Sequence, residues 1–147
     1  MTVRRVREGD FEAVHPLLEQ LVQAAADRRR VVWVEALRHE GYAAWVAEVG
    51  QKPVGFVDLF ILPDAAHGNN IGLISNLVVD ERFRNRGLGE SLLREAIEHC
   101  KQRRAVELHV WTDIGNKPGI GAYKKLGFVE RGLLLELELG AGGSPAK

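Results

Sequence analysis

The sequence has little of several features that would place it in a specialised class of protein. Its 147 residues contain one cysteine, 7% aromatic residues and a formal net charge of zero. A single cysteine excludes an internal disulfide, so a reducing cytoplasm is the expected setting. No apolar run approaches the roughly 20 residues of a membrane span, and residues 1–7 lack the apolar core of a signal peptide. The zero net charge argues against non-specific nucleic-acid binding as the main task.

What the chain does have is enough apolar material for one globular domain. Hydrophobic residues make up 46% of the sequence and charged residues 27%, which is ordinary for a globular protein. A chain of this length can enclose a single hydrophobic core. We expect one domain over residues 1–139, followed by a disordered C-terminal tail over residues 140–147, which are rich in glycine.

The first half of the chain combines helical and strand patterns. A helix is predicted where apolar residues recur with helical spacing up to Ala25, and the cations at 28–30 suit its C-terminal end. The apolar residues of 31–40 fit both the helical and the strand spacing, and we interpret this stretch as a short second helix. Two stretches in which apolar and polar residues alternate lie on either side of a Gly-Gln-Lys-Pro turn and indicate a hairpin. The predicted elements are a strand at 3–7, helices at 11–25 and 31–40, and strands at 42–49 and 54–62.

The most informative stretch runs from residue 71 to residue 100. It begins as a strand that is too apolar to belong to a sheet with one solvent-exposed face. A turn rich in arginine and glycine follows, and the stretch ends as an amphipathic helix. A further strand at 105–111 completes a βαβ unit, whose two strands must be parallel. Ligands of open α/β sheets bind outside the carboxyl ends of such strands. The turn lies at that position.

The turn itself, Arg84-Asn85-Arg86-Gly87-Leu88-Gly89, has the chemistry of a phosphate site. A helix N-terminus carries unpaired N–H groups and a partial positive charge. Glycine permits the backbone angles that direct successive N–H groups inward as a nest. Taken alone, the motif is also compatible with an ordinary turn whose arginines are solvated.

A last helix is predicted over residues 116–126, and a last strand over residues 128–139. Asn116 is a good N-cap and Gly127 a good residue to follow the C-terminus. Gly119 and Gly121 are unusual, because each costs about 1 kcal/mol against alanine inside a helix. Close approach by a ligand or a neighbouring backbone would explain them, and so would tight packing.

Two motifs and the order of elements resemble the GNAT N-acetyltransferase superfamily. The motifs are RxxGxG at Arg84, Gly87 and Gly89, and NKPGIGAYKKLGF from Asn116 to Phe128. The resemblance implies an α/β (α+β) GNAT fold with about four helices and a mixed central sheet of six to seven strands. The first half of that sheet is antiparallel, and a parallel βαβ unit binds the cofactor. It also implies acetyl-CoA as co-substrate, no metal, a primary amine of a small molecule as acceptor, and a homodimer as one expected state.

The same resemblance assigns roles to the motif residues. The pyrophosphate of CoA lies on the N–H groups of the turn, and the pantetheine arm pairs with the strand edge near Leu77 and Val79. A backbone N–H there stabilises the charge that develops in the tetrahedral intermediate. Asn116 hydrogen-bonds the cofactor arm, and Tyr123 acts on the departing thiolate as general acid or hydrogen-bond donor. The predicted cofactor-binding residues are Leu77, Val78, Val79, Arg84, Asn85, Arg86, Gly87, Leu88, Gly89, Glu90, Asn116 and Tyr123.

The acceptor side has no matching motif. Residues 66–89 resemble glucosamine-phosphate and other small-amine acetyltransferases, but those enzymes carry an acidic pair where this chain has Ser75 and Asn76. An alkylammonium must lose a proton before it attacks, so Asp58 and His67 are the candidate bases. The alternatives are a protein N-terminal or lysine acetyltransferase, and a non-catalytic acyl-CoA-binding module. The absence of GxGxxG argues against a dinucleotide site.

Overall fold

A computed structural model describes residues 1–140, so the expected tail lies outside the described residues except for Gly140. Five strands and four helices follow one another along residues 1–140. None of the helices described within residues 1–140 has the length and apolar character needed to cross a membrane. The elements are β1 (Thr2–Arg5), α1 (Phe11–Glu19), α2 (Ala26–Arg38), β2 (Tyr42–Val49), β3 (Lys52–Asp64), β4 (Asn69–Val79), α3 (Leu88–Gln102), β5 (Ala105–Val110) and α4 (Lys117–Lys125), with short 3-10 turns at Glu8–Asp10 and Glu81–Phe83.

One mixed sheet in the order β1-β2-β3-β4-β5 organises the chain. The first four strands are antiparallel, whereas β4 and β5 are parallel, which confirms the predicted hairpin and βαβ unit. Helix α3 packs on one face of the sheet, and α1 and α2 pack on the other. Because both faces are covered, β3 is an almost continuous apolar run. Cys100 of α3 is buried, and burial raises the pKa of its thiol to about 11.

The first helix is shorter than predicted, because the basic cluster at 27–30 begins α2 instead of closing α1. Asp27 lies in the first turn of α2, where a carboxylate suits the helix dipole. The Arg29 guanidinium reaches back and makes a 2.9 Å hydrogen bond with Nδ1 of His15 on α1. The cluster therefore joins the two helices on one face of the sheet.

Over residues 1–140 the sheet has five strands, so the prediction of six to seven is wrong. Among the described residues, the predicted last strand at 128–139 pairs with no neighbour. Its leucines stand in solvent, with Leu133, Leu135, Leu137 and Leu139 between 80% and 91% exposed. Alternation shows which residues share a face, but a strand also needs the backbone groups of a neighbouring strand. The four helices agree with the predicted number.

Candidate active site

The turn between β4 and α3 forms an anion-binding concavity in the backbone. Gly87 is the N-cap of α3, with φ +81°, and Asn85 is also left-handed, with φ +63°. The first helical bond runs from the Ser91 N–H to the Gly87 carbonyl at 3.0 Å, so the N–H groups of residues 88–90 have no partner within the helix. Left-handed residues next to a helix N-terminus direct successive N–H groups to one point. The geometry fits a phosphate group.

The three arginines between β4 and α3, which are Arg82, Arg84 and Arg86, differ in how far their charge is already balanced. The Arg82 guanidinium donates to both carboxylate oxygens of buried Asp80, at 3.2 and 2.9 Å, and this pairing lowers the pKa of Asp80 to about 2. Within residues 1–140, no acidic side chain forms an ion pair with Arg84 or Arg86. Two of the three arginines can therefore attract an anionic ligand.

The edge of β4 is open next to this turn. Pairing with β5 ends at Ile74 and Val110, whereas pairing with β3 continues to Val79 and Gly55. Residues 75–79 thus have no strand on their β5 side in the part of the chain that is described. An extended ligand can add to such an edge through backbone hydrogen bonds. The open edge leads directly into the turn.

A buried carboxyl lies beside the same section of β4. Asp58 of β3 pairs with Asn76, while Leu59 pairs with Ile74, so Ser75 is the extra residue of a β-bulge. One Asp58 oxygen accepts from the Tyr42 hydroxyl at 2.6 Å, and the other accepts from the Asn76 amide at 3.0 Å. Burial raises the pKa of Asp58 to about 6, although both hydrogen bonds act in the opposite direction. A carboxyl with this pKa can take up a proton near neutral pH.

Asp58→Asn should flatten the pH dependence of stability between pH 7 and pH 4. The folded-state pKa of about 6 exceeds the unfolded value of about 3.9, so the wild type gains stability as the pH falls through this range. At 1.36 kcal/mol per pKa unit, the gain approaches about 3 kcal/mol. Urea unfolding at several pH values measures it. A wild-type curve parallel to that of the variant would contradict the assignment.

Helix α4 begins with Asn116, which acts as the predicted cap. Its Oδ1 accepts from the Gly119 N–H at 3.3 Å, and its Nδ2 donates to the Thr112 hydroxyl at 3.0 Å. A Cβ on Gly119 would lie 2.2 Å from Asn116 Nδ2. The Asn116 side chain therefore accounts for Gly119, without a ligand. A Cβ on Gly121 would have no neighbouring atom within 4 Å.

The free energies of unfolding of Gly119→Ala and Gly121→Ala should differ by about 1 kcal/mol. Both gain helix propensity, worth up to about 1 kcal/mol. Only Gly119→Ala displaces the Asn116 amide and loses a cap worth about 1 kcal/mol. Thermal or urea unfolding of the two variants measures the difference. Equal stabilisation of both would show that the cap at Asn116 contributes nothing.

Tyr123 connects α4 to the other parts of the site. Its ring packs against Phe128 with a centroid separation of 5.5 Å, and it belongs to the apolar cluster that Leu77 and Val79 contact. Burial raises the pKa of the Tyr123 hydroxyl, so the group is a neutral donor at pH 7. Among residues 1–140 the hydroxyl makes no hydrogen bond. Tyr123 is thus a donor without a partner in the cluster against which the open section of β4 packs.

Glu90 lies in the first turn of α3, where its negative charge would oppose a phosphate. Lys125 of α4 and Arg94 of α3 each contact its carboxylate, at 3.3 and 2.8 Å, and lower the pKa of Glu90. Two cations thus offset the carboxylate, and one of them joins the end of α4 to the start of α3.

His67 is not brought to this site. It lies in the loop before β4, about nine residues from Asn76, or roughly 30 Å along an extended strand. Its ring contacts the carboxylates of Asp64 and Glu107, which raise its pKa. Within residues 1–140 no group of His, Cys, Asp and Glu side chains could hold a metal ion. Of the two candidate bases, Asp58 thus lies at the open section of β4, where it hydrogen-bonds Asn76, and His67 does not.

Sequence reasoning names Asp58 as a candidate base and does not name Tyr42, whose hydroxyl donates to the Asp58 carboxylate. Tyr42 and Asp58 are two positions apart in the register of the β2–β3 hairpin, where Ala44 faces Asp58 directly. A fixed hairpin register would have placed both side chains on one face, because residues two apart share a face. The β-bulge at Ser75, in contrast, cannot be inferred from residue spacing in the sequence.

Comparisons with known proteins give the family and the fold of the chain. The model of the acetyltransferase (GNAT) family matches residues 11–128. An uncharacterised N-acetyltransferase of Methanocaldococcus jannaschii is 36% identical over 101 residues, covering 67% of this chain and 43% of that protein. The L-amino acid N-acetyltransferase of Escherichia coli is 31% identical over 142 residues, covering 87% and 82%. The chain spans about half the length of the first curated relatives it matches.

A solved structure shares the fold of the chain. Glucosamine-6-phosphate N-acetyltransferase of Arabidopsis thaliana superimposes with a TM-score of 0.82 at 20% identity, covering 95% of this chain and 98% of that one. At that identity the likeness concerns the fold alone.

Proposed function

The chain belongs to the acetyltransferase (GNAT) family, and from that premise we propose that it transfers an acetyl group from acetyl-CoA to a primary amine of a small molecule. One observation carries the proposal. The open β4 edge at residues 75–79 leads directly into the anion-binding turn at residues 85–90, and Tyr123 belongs to the apolar cluster against which Leu77 and Val79 pack. An acyl carrier with a phosphate at one end and an extended amide arm at the other matches these features.

Different residues of the chain bind different parts of acetyl-CoA. The N–H groups of residues 88–90, with Arg84 and Arg86, hold the pyrophosphate. Backbone groups near Leu77 and Val79 pair with the amide arm, and one N–H polarises the thioester carbonyl. Asn116 reaches the arm from the start of α4. The bound thioester supplies the acyl group that the amine takes.

Two side chains handle the protons of the transfer. Asp58 accepts the proton that the ammonium form must lose before the nitrogen attacks the acyl carbon. Tyr123 donates a hydrogen bond to the thiolate sulfur as the carbon–sulfur bond breaks. Asp58 also contacts Asn76. Similar small-amine acetyltransferases carry an acidic pair at the positions of Ser75 and Asn76 on β4. In this chain a carboxyl beside those positions comes from β3 instead.

An α-amino group fits this base better than a lysine side chain. The reference pKa of an α-ammonium is about 7.7–8.0 and that of lysine is about 10.4, against about 6 for Asp58. Proton transfer to Asp58 therefore costs roughly 3 kcal/mol less from an α-ammonium group than from a lysine ammonium group. The name of the Escherichia coli relative, an L-amino acid N-acetyltransferase, favours the same acceptor class. A protein N-terminus is the second candidate, since it presents the same α-amine.

Thiol release from acetyl-CoA tests the proposal against a panel of amino acids, amino sugars, and peptides with a free N-terminus or a single lysine. We expect turnover with a small α-amine and a loss of roughly 100-fold or more in Asp58→Asn, the usual scale for a general base. Turnover with peptides alone would assign the protein N-terminus. Binding of acetyl-CoA without turnover on any amine would identify an acyl-CoA-binding module.

A further inference from the structure

Two acidic side chains are buried in the part of the chain that the structure describes, and their partners differ. Asp80 pairs with the Arg82 guanidinium at 2.9 Å, and this pairing lowers its pKa to about 2. Among the same residues no cation pairs with Asp58, which accepts from two neutral donors, the Tyr42 hydroxyl and the Asn76 amide. A cation would hold the carboxylate ionised well below neutral pH, whereas burial without donors would keep it protonated. The neutral donors leave Asp58 between these limits.

The register of the sheet explains how the Tyr42 hydroxyl reaches the Asp58 carboxyl. Ala44 of β2 lies directly opposite Asp58 of β3, and Tyr42 is the diagonal neighbour two residues along β2. Diagonal neighbours on adjacent antiparallel strands are about 7–8 Å apart, which an aromatic side chain can span. The alanine at position 44 is too small to obstruct this path. The Tyr42 ring packs against Phe60 with a centroid separation of 5.0 Å, so the direction of the hydroxyl is fixed.

The two carboxylate oxygens of Asp58 are not equivalent. Oδ2 accepts from the Tyr42 hydroxyl at 2.6 Å, and Oδ1 accepts from Asn76 Nδ2 at 3.0 Å. The shorter distance is that of a strong hydrogen bond to a charged acceptor, so Oδ2 is the poorer site for a further proton. Burial and the charge of Asp58 raise the pKa of Tyr42, so the hydroxyl keeps its own proton. Oδ1 faces β4, whose open section includes Asn76, and it is the oxygen better placed to take a proton.

We propose that Tyr42 is a positioning residue for the acetyl transfer, in which its hydroxyl holds Asp58 Oδ2 and directs the proton of the acceptor ammonium to Oδ1. The inference rests on the proposed role of Asp58 as the base. One N–H bond of the ammonium breaks, its proton passes to Oδ1, and the nitrogen lone pair then attacks the acyl carbon. Tyr42 touches no reacting atom in this scheme. Without its hydroxyl, burial would keep the carboxyl protonated over more of the neutral range.

Tyr42→Phe removes the hydroxyl and keeps the ring that packs against Phe60. The kcat/KM for a small α-amine should fall by roughly 10- to 100-fold at pH 7, the scale of one hydrogen bond to a charged group. The lost hydrogen bond lowers the pKa of Asp58 in the wild type, so the acid limb of the kcat/KM profile should move up by about one pH unit or more. The deficit should therefore shrink as the pH rises. A purely structural role would lower the rate at every pH and leave the limb in place.

Phe60→Leu is the matched control, because it disturbs the packing of the Tyr42 ring and keeps the hydroxyl. Whatever its rate, its acid limb should lie at the same pH as that of the wild type. Circular dichroism checks that both variants are folded. An equal displacement of the limb in Phe60→Leu and Tyr42→Phe would assign the effect to packing and overturn the inference.

A double-mutant cycle with Asp58→Asn tests whether Tyr42 acts through Asp58. In the Asp58→Asn background, loss of the hydroxyl should lower kcat/KM by less than about threefold, because the group that it positions is absent. An equal fold-loss in both backgrounds would show an independent role and overturn the inference.

The same measurements separate this inference from the proposed function. A wild type that releases no thiol with any amine of the panel would overturn both. A wild type that acetylates an amine, while Tyr42→Phe has the same rate and the same acid limb, would overturn the role of Tyr42 alone. We expect turnover by the wild type, a displaced limb in Tyr42→Phe and a non-additive cycle with Asp58→Asn.

Discussion

Gly89→Ala should lower the affinity for acetyl-CoA by roughly 10- to 100-fold, while the fold is kept or slightly stabilised. A Cβ on Gly89 would have Val79 Cγ2 as its nearest neighbour, at 3.7 Å, which is ordinary contact. Alanine should therefore add up to about 1 kcal/mol to helix stability. The new methyl group would occupy the approach of a phosphate to the first N–H groups of α3. Charge-assisted hydrogen bonds of this kind contribute about 1.5–3 kcal/mol each.

Calorimetric titration of acetyl-CoA measures this effect, with Gly9→Ala as the matched control. Gly9 also has open space where a Cβ would lie, and it belongs to the short turn before α1, far from the site in sequence. Gly87→Ala is a less informative choice, because φ at Gly87 is +81° and alanine there adds backbone strain of about 1–2 kcal/mol. Equal affinity in Gly89→Ala and the wild type would show that phosphate does not lie on the α3 N-terminus.

Tyr123→Phe should lower kcat by roughly 10- to 100-fold and leave acetyl-CoA binding nearly unchanged. The reference pKa values are about 10 for tyrosine and about 8.5 for a thiol, so full proton transfer would be uphill by about 2 kcal/mol. Burial raises the pKa of Tyr123 further. The hydroxyl is therefore best suited to donate a hydrogen bond to the departing thiolate. Hydrogen bonds to charged groups contribute about 1.5–3 kcal/mol, and phenylalanine keeps the ring that packs against Phe128.

Single-turnover thiol release, combined with cofactor titration, separates the two parts of this expectation. A fall in the rate with an unchanged dissociation constant places the hydroxyl at the leaving group. Turnover equal to that of the wild type would remove Tyr123 from the mechanism. Weaker binding in proportion to the lower rate would instead assign the hydroxyl to cofactor binding in the ground state.

The parts of the site that depend on local physics could be predicted from the sequence. The turn around Gly87 follows from glycine, arginine and a helix N-terminus within a few residues, and the structure has left-handed backbone at Asn85 and Gly87. Asn116 is likewise predictable as a cap, because capping involves neighbours in the sequence.

The parts of the fold and site that depend on residues distant in the sequence could not be predicted. The environment of Asp58 requires the register of β2 and β3 and the extra residue at Ser75, neither of which has a local signature. The basic cluster at 27–30 suits the end of one helix, yet it begins the next. The leucines between residues 133 and 139 show the alternation of a strand, but alternation does not identify the neighbouring strand that pairing requires.

Two-dimensional NMR of the amide groups tests most directly whether the β4 edge, the turn and α4 act as one acyl-CoA site. On titration with acetyl-CoA, the amide resonances of residues 75–79, 85–90 and 116–123 should shift together along one binding curve. Those of α2, on the opposite face of the sheet from α3, should stay in place. Shifts confined to α1 and α2, or no shifts at all, would contradict the proposed site.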